Sequence, residues 1–309
     1  MNYHPDGACE AERNTFEVVN RLSRFKKIFI EITNRCNLSC DFCAAGYRPE
    51  GDMAAVDFAS LLPQLKPFTS HLSLHVLGEP LLHPDLGELL AHCHAQGFRV
   101  NLTTNGTLLS RHGAMLLVAP ALRQVSISLH SIGERASGVE QDGYLAGVLE
   151  FAHKAGAMGI YVSLRIWDLL GGREESGKRR QERLLTGLEE FFALPEPLAD
   201  AVVTGQGLKL AEGVFLSQKE RFSWPTLAGA DQGGQGYCLG LRDQAAILVD
   251  GTVVPCCLDA EGEIPLGNVF QESFATIVAG ERAAHLRRGF SQRKVVEELC
   301  RRCSYRLRF

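Results

Sequence analysis

Hydrophobic and polar residues alternate along five short segments of the chain, and this alternation predicts five β-strands. The predicted strands cover residues 28–33, 72–77, 99–105, 125–131 and 161–167. Between the second and third strands, Leu86, Leu89, Leu90 and Cys93 recur at helical spacing, and Gly97 ends that predicted helix. Cys93 completes the apolar face of this helix, so we interpret it as a buried structural thiol. The order strand, helix, strand predicts βαβ units and a parallel sheet.

One face of every predicted strand is aliphatic, whereas the other face carries polar groups such as Glu31, His75, Asn101 and Ser128. A doubly wound sheet would be apolar on both faces, and a closed eight-stranded barrel would fill its interior with aliphatic side chains. We therefore predict an α/β fold, a partial (β/α)6 TIM-like barrel whose lumen holds a polar ligand. The site is expected at the carboxyl ends of the strands. Arg165 is the only cation on these predicted inner faces.

Composition and charge exclude several classes of protein. The chain has 309 residues, of which 45% are hydrophobic and 22% charged, and its formal net charge is -4. No uncharged apolar stretch reaches the roughly 18 residues of a membrane-spanning helix, and the polar N-terminus does not resemble a signal peptide. The slight negative charge argues against nucleic acid or a membrane surface as the main partner. We therefore expect a cytoplasmic protein.

Composition also suggests a boundary between two domains. Glycines concentrate in residues 228–236, which we predict to be a linker. The segment that follows is rich in cysteine and contains a predicted hairpin that turns at Asp250-Gly251. We therefore divide the chain into a barrel, residues 1–228, and a small C-terminal cysteine-rich domain, residues 229–309.

Three cysteines follow the first predicted strand directly. Cys36, Cys40 and Cys43 lie within eight residues on one loop, so their thiolates can converge on one metal centre. A structural zinc site needs four ligands, and no fourth Cys or His lies close by in sequence. A [4Fe–4S] cluster held by only three cysteines leaves one iron open for another ligand.

This spacing, C-x3-C-x2-C, resembles the signature of the radical S-adenosylmethionine superfamily, and further segments at strand ends match in order. Those segments are Leu77-Gly-Glu-Pro80, Thr104-Asn-Gly106, Ser128 and Arg165. Leu77 replaces the first glycine of the superfamily's Gly-Gly-Glu-Pro segment. The resemblance covers roughly residues 25–215. It implies an enzyme that cleaves S-adenosylmethionine reductively at the cluster and abstracts a hydrogen atom with the resulting 5′-deoxyadenosyl radical.

The resemblance also implies which residues bind S-adenosylmethionine. The Gly78-Glu79 pair would accept the ammonium group of the methionine moiety, and Arg165 would pair with its carboxylate. Ser128 and Asn105 suit the ribose or the carboxylate, and Phe42 is expected to lie against the adenine.

A second set of cysteines lies in the C-terminal domain. Cys238, Cys256, Cys300 and Cys303 can ligate either a cluster or a zinc ion, and zinc stays an alternative. Two segments, Gly251-x4-Cys256 and Leu266-Gly-Asn268, resemble the extension called the SPASM or twitch domain. Five cysteines suffice for one auxiliary [4Fe–4S] cluster, which favours the shorter twitch version. Either Cys256 or Cys257 could be the ligand, and the glycine spacing favours Cys256.

The C-terminal domain is also basic, and its cations either form a solvated face or offset the charge of an anionic cluster. They are Arg282, Arg287, Arg288, Arg293, Lys294, Arg301, Arg302, Arg306 and Arg308.

The substrate is not identified by the sequence, and two reaction classes compete. One is the oxidation or dehydrogenation of a small molecule, with the auxiliary cluster accepting an electron. The other is peptide modification by crosslinking or epimerisation. About 27 residues precede the first predicted strand, too few for an added leader-binding domain, which favours the first class. A one-electron donor such as flavodoxin or ferredoxin is expected as a partner. A non-catalytic iron–sulfur protein is the alternative from another class.

Overall fold

The computed structural model describes residues 24–44, 46–131, 141–167, 175–202 and 205–309, so the first 23 residues of the predicted barrel domain lie outside it. The strands of the described residues are β1 Lys27–Ile30, β2 His71–Ser73, β3 Arg99–Thr104, β4 Leu122–Ser128, β5 Tyr161–Trp167, β6 Gly207–Ala211, β7 Val214–Lys219, β8 Gln244–Ile247, β9 Thr252–Val254 and β10 Gly267–Asn268. The helices are α1 Ala55–Leu65, α2 Leu86–Ala95, α3 Leu109–Leu117, α4 Gln141–Ala157, α5 Glu175–Phe192, α6 Leu198–Ala201, α7 Phe274–Ala279, α8 Glu281–Ser291 and α9 Glu298–Arg301. Within these ranges, no helix is both long and apolar enough to span a bilayer.

All ten strands belong to one sheet, in the order β10-β9-β8-β1-β2-β3-β4-β5-β7-β6. Seven of them run parallel, namely β8, β1 to β5 and β7, and the six from β1 to β5 and β7 are the barrel strands. The predicted α/β fold with a parallel sheet is confirmed. In a flat sheet β1 and β5 would lie about 19 Å apart. Burial lowers the pKa of Lys27 on β1, and the charge of Arg165 on β5 adds to this shift, as expected for a sheet that curls around a shared lumen.

The aliphatic face of the barrel strands packs outward against the helices. Ile28, Leu72, Val100, Val125 and Val162, one from each of β1 to β5, are fully buried. Burial of this face is the main stabilising contribution to the barrel. The polar face is thereby directed into the lumen, because successive side chains of a strand point to opposite sides.

The structure differs from the predicted strands in several places. β1 covers Lys27–Ile30 where residues 28–33 were predicted, and β4 covers Leu122–Ser128 where residues 125–131 were predicted. The predicted strand 72–77 is shorter, since β2 ends at Ser73 and the chain then turns at Gly78. Gly78 has φ +77°, and a Cβ there would lie 2.5 Å from the carbonyl oxygen of Thr33, so only glycine fits. The sequence analysis also missed β6 and β7. The outer face of β7 is aliphatic at Val214 and Leu216 but polar at Gln218. This weakens the alternation of hydrophobic and polar residues that predicts a strand.

The C-terminal domain extends the sheet of the barrel. Strand β8 pairs in parallel with β1, with Lys27 opposite Gln244 and Ile30 opposite Ile247. Strands β8 and β9 form the predicted hairpin. The boundary proposed at residue 229 lies in the connection between β7 and β8.

The glycine-rich segment before β8 is fixed by a buried arginine. Arg306 is 3% exposed and donates hydrogen bonds to the backbone carbonyls of Gln232, Gly233, Gln235 and Cys300. This segment is therefore held in place by Arg306. Arg306, one of the cations of the basic C-terminal stretch, is buried and does not belong to a solvated face.

Candidate active site

The loop with Cys36, Cys40 and Cys43 follows the carboxyl end of β1, and its thiols are exposed or half-buried. An amide network ties this loop to the end of β3. Asn105 Nδ2 donates to Asn37 Oδ1 at 2.9 Å, and Asn37 Nδ2 donates to Thr107 Oγ1 at 2.8 Å. Asn105 thus positions the cysteine loop in this structure, and its contact with S-adenosylmethionine stays a prediction.

Glu79 is 1% exposed and joins the loop after β2 to the end of β3. Its Oε1 accepts hydrogen bonds from Leu81 N–H at 3.0 Å and from the Thr104 hydroxyl at 2.6 Å, and its Oε2 accepts one from Asn105 N–H at 2.7 Å. Burial raises the pKa of Glu79, and these hydrogen bonds oppose the rise. Glu79 N–H donates to the carbonyl of Arg35, which brings Gly78 and Glu79 beside the cysteine loop. The contact of this pair with an ammonium group stays a prediction.

An aromatic cluster, which sequence analysis missed, lies where β5 ends. The rings of His130 and Trp167 stack with centroids 3.9 Å apart, and the Phe42 ring lies 4.9 Å from Trp167. Ser128 lies beside Arg165 in the register of β4 and β5. The structure therefore brings Phe42 next to the strands that carry Ser128 and Arg165, and the contacts of these residues with S-adenosylmethionine stay predictions. Trp167 is the last inner-face residue of the fifth predicted strand, and it was the sequence feature that could have indicated this aromatic cluster.

The four predicted auxiliary ligands lie together in the C-terminal domain. Burial raises the pKa of Cys256, and the charges of Cys257, Cys238 and Cys300 raise it further. Cys238 and Cys303 likewise add to the raised pKa of Cys300. These buried thiols would repel one another if they ionised without a metal. Bound metal ions stabilise thiolates, so the arrangement fits a metal site.

Zinc was the alternative to a cluster at this site. Among the described residues, no group of three His, Cys, Asp or Glu side chains is placed to hold a single metal ion. A structural zinc would require four ligands around one ion. The choice between zinc and a cluster therefore rests on comparison with known proteins.

The neighbours Cys256 and Cys257 face different surroundings. Cys256 interacts with Cys238 and Cys300, as described above. Burial raises the pKa of Cys257 to about 11, and the charges of Lys27 and Arg165 in the barrel oppose the rise. The charge of Cys238 also acts on Cys257, so the choice of Cys256 as the ligand stays a prediction.

Replacing Cys256 with alanine is expected to remove the auxiliary cluster, whereas the matched variant Cys257→Ala keeps it. Iron per chain, determined after anaerobic reconstitution, should fall from about eight to about four in Cys256→Ala only, because one cubane holds four irons. Reductive cleavage of S-adenosylmethionine should persist in both variants, since neither touches the cysteine loop after β1. The reversed pattern would assign the ligand role to Cys257.

The two thiol groups lie at opposite ends of β1. Cys36 follows the carboxyl end of this strand. Cys256 follows β9, which runs antiparallel to β8 and therefore ends near the amino end of β1. A four-residue strand spans about 13 Å. The polar lumen therefore lies between the two groups.

A buried ion pair in the barrel connects to the C-terminal domain through further hydrogen bonds of its two members. Arg48 Nη2 lies 2.7 Å from both carboxylate oxygens of Glu31, which is fully buried. Glu31 also accepts hydrogen bonds from the N–H groups of Leu77 and Val249, at 3.2 and 3.0 Å. Arg48 Nε donates to the carbonyl of Ala260 at 2.8 Å. The sequence placed Glu31 on the inner face but gave no sign of its partner.

Comparison with known proteins identifies the families that two parts of the chain match. A family model for the radical SAM superfamily matches residues 30–178, and one for an iron–sulfur cluster-binding domain, SPASM, matches residues 238–304. The Fe-coproporphyrin III synthase of Methanosarcina barkeri is 31% identical over 52% of this chain and 43% of its own length. A PqqA peptide cyclase of Xanthomonas euvesicatoria is 32% identical over 44% of this chain and 38% of its own. The matches thus span less than half of these curated relatives.

Two solved structures share the fold over nearly the whole chain. BtrN in complex with AdoMet and 2-DOIA has a TM-score of 0.57 and 15% identity, covering 92% of this chain and 94% of BtrN. Streptococcus suis SuiB bound to S-adenosylmethionine has a TM-score of 0.60 and 16% identity, covering 93% of this chain and 75% of SuiB. The matched domains imply S-adenosylmethionine and [4Fe–4S] clusters as cofactors, one cluster at the loop after β1 and auxiliary iron–sulfur in the C-terminal domain. The chain belongs to the radical S-adenosylmethionine superfamily and carries a C-terminal SPASM domain.

Proposed function

We propose that the chain removes a hydrogen atom from a substrate held in the barrel lumen between its two thiol groups. When bound, the cluster after β1 and S-adenosylmethionine supply the 5′-deoxyadenosyl radical that takes this atom. The placement of the two thiol groups at opposite ends of β1, with a polar lumen between them, is the observation that carries the proposal.

The lumen contains buried polar atoms that suit a bound ligand. His75 Nδ1 and Asn101 Oδ1 have no hydrogen-bond partner among the described residues. Leaving such atoms without a partner costs free energy, and a polar substrate would satisfy them. Asn105 and Glu79 hold the cysteine loop against the strand ends, so the radical would form at a fixed place relative to this ligand.

The reaction class that we propose is a two-electron oxidation. The substrate would first give up a hydrogen atom to the deoxyadenosyl radical, which becomes 5′-deoxyadenosine. It would then lose one proton to solvent and one electron, and a cluster held by the thiols near Cys256 would supply the electron acceptor. One electron from an external one-electron donor, such as flavodoxin or ferredoxin, is needed to start the cleavage.

Peptide modification is the second candidate. One relative is named a PqqA peptide cyclase. A structure of SuiB bound to precursor peptide SuiA matches 98% of this chain with a TM-score of 0.58. A peptide substrate would leave the roles proposed for the cysteine loop, Asn105 and Glu79 unchanged.

The test is anaerobic turnover of the reconstituted protein with a chemical reductant and isotope-labelled metabolite or peptide extract. We expect 5′-deoxyadenosine to form and to carry label from one substrate, whose mass falls by two hydrogens if oxidation is the reaction. Label from a peptide would favour the second candidate. Absence of 5′-deoxyadenosine from protein with its full iron content would make the chain a non-catalytic iron–sulfur protein.

A further inference from the structure

One cation of the basic C-terminal stretch differs from the rest in its burial. Arg306 is 3% exposed, whereas the other arginines and the lysine of this stretch are exposed or half-buried. Water stabilises the charge of an exposed arginine, but the charge of a buried one has to be compensated within the protein. A solvated face therefore accounts for the other cations and leaves the charge of Arg306 unexplained.

The hydrogen-bond partners of Arg306 are neutral. Its guanidinium donates to the backbone carbonyls of Gln232, Gly233, Gln235 and Cys300. Among the residues that the structure describes, no carboxylate pairs with it. Carbonyl oxygens satisfy its N–H groups but leave the net charge of the guanidinium in place. The C-terminal domain therefore holds a buried positive charge that a nearby anion would balance.

Arg306 lies between the two segments that carry the predicted auxiliary ligands. Its Nε donates at 3.0 Å to the Cys300 carbonyl, which also accepts the N–H of Cys303 at 3.3 Å. A cysteine sulfur lies at most about 5 Å from the carbonyl oxygen of its own residue, so Nε is within about 8 Å of the Cys300 sulfur. On the other side, a Cβ added to Gly236 would collide with Arg306 Nη1. Cys238 is two residues further, at most about 7 Å along the chain.

A positive charge in this place favours the reduction of a cluster. A [4Fe–4S] cluster held by four thiolates is an anion, and its reduction adds one more negative charge. A nearby cation stabilises the reduced form more than the oxidised form, which raises the reduction potential. The distance from Arg306 to the thiols is about one Debye length, and burial keeps salt from screening the charge.

We propose that Arg306 supplies the buried positive charge that makes the auxiliary site a better electron acceptor. The proposal rests on the proposed function, in which one electron from the substrate passes to this site. Arg306 also joins the glycine-rich segment that leads to Cys238 to the turn that carries Cys300 and Cys303. It is therefore a positioning residue, which acts through the auxiliary site.

The test is a reductive titration of the full reconstituted chain, followed by electron paramagnetic resonance under anaerobic conditions. The same titration of Cys36→Ala, which should lack the cluster after β1, identifies the signal of the auxiliary cluster. Its reduction potential should become more negative in Arg306→Met and stay near the wild-type value in Arg306→Lys, which keeps the positive charge. If Arg306→Met loses auxiliary iron, Arg306→Gln is the neutral variant, because its amide still donates to a carbonyl.

Arg301→Gln is the matched control. Arg301 belongs to the same basic stretch and binds the same glycine-rich segment through an ion pair with Asp231, but its side chain is 41% exposed. Loss of this solvated charge should leave both the potential of the auxiliary cluster and the iron content unchanged.

An auxiliary potential equal to the wild-type value in the neutral variant overturns the proposal. An equal shift in Arg306→Lys, or loss of auxiliary iron from all three Arg306 variants, also overturns it and leaves Arg306 a purely structural role. A shift of the same size in Arg301→Gln would show that burial of the charge is unimportant. If both neutral variants lose auxiliary iron while Arg306→Lys keeps it, the site requires the positive charge, as proposed.

The potential is measured without substrate, which separates this inference from the proposed function. Turnover without 5′-deoxyadenosine would contradict only the proposed function, and an unshifted potential would contradict only the role of Arg306.

Discussion

Replacing Cys36 with alanine is expected to abolish reductive cleavage of S-adenosylmethionine and to lower iron from about eight to about four per chain. Cys36 is one of three thiols on the loop after β1, and two thiolates alone do not hold a cubane. Without that cluster there is no open iron for S-adenosylmethionine and no electron for the sulfonium. The measurements are iron content and 5′-deoxyadenosine formed after anaerobic reconstitution.

Cys93→Ala is the matched control, because Cys93 is a fully buried cysteine on α2 outside both thiol groups. It should keep both clusters and the cleavage activity while lowering stability by roughly 0.5–1.5 kcal/mol, as removal of one buried methyl-sized group does. Full iron content in Cys36→Ala would show that this cysteine is not a ligand.

Both cysteine groups and the inner face of the barrel could be predicted because they are local features of the sequence. Three ligands on one loop appear as a spacing, and a strand with one buried face appears as alternation. The fifth strand was predicted with its observed bounds, Tyr161–Trp167, since aliphatic and polar residues alternate through all seven positions. The choice of Cys256 over Cys257 rests on the glycine spacing and stays a prediction, because adjacent residues differ only in the direction each side chain takes.

Contacts between residues far apart in the chain could not be predicted, because they produce no local pattern in the sequence. Glu31 receives a hydrogen bond from Val249, 218 residues away, and Arg306 binds carbonyls more than 70 residues before it. Glu31 accepts hydrogen bonds from backbone N–H groups as well as from Arg48, and Arg306 donates to backbone carbonyls. Because nearly every residue has these backbone groups, the sequence does not single out the partners. Their partners follow from how β8 docks beside β1, and this docking is a property of the folded sheet.

The ion pair between Glu31 and Arg48 gives the second large expected effect. Replacing Arg48 with alanine leaves a fully buried carboxylate without its charge partner, and loss of one partner from such a pair costs about 3–5 kcal/mol. The anaerobic melting midpoint should fall by roughly 5–15 °C. Lys154→Ala, which breaks an exposed pair on α4, should melt like the wild type.

The double variant Glu31→Gln/Arg48→Met should melt above Arg48→Ala alone, because it leaves no unpaired charge in the interior. This order separates the loss of charge pairing from a simple loss of packing by the arginine side chain. A double variant less stable than Arg48→Ala would instead indicate that the Glu31 carboxylate stabilises the interface with Leu77 and Val249 without needing a cation.

The loss of stability in Arg48→Ala should depend on pH in a defined direction. Burial raises the pKa of Glu31 in the folded protein, and the charge and hydrogen bonds of Arg48 oppose this rise. Without Arg48 the folded-state pKa rises further above the unfolded value, so the folded protein binds a proton that the unfolded chain releases. Stability of the variant relative to the wild type therefore falls as pH increases. Melting midpoints measured at pH 5.5 and pH 8 should differ more from the wild type at pH 8. An equal difference at both values would mean that Glu31 stays ionised without Arg48, held by the N–H groups of Leu77 and Val249.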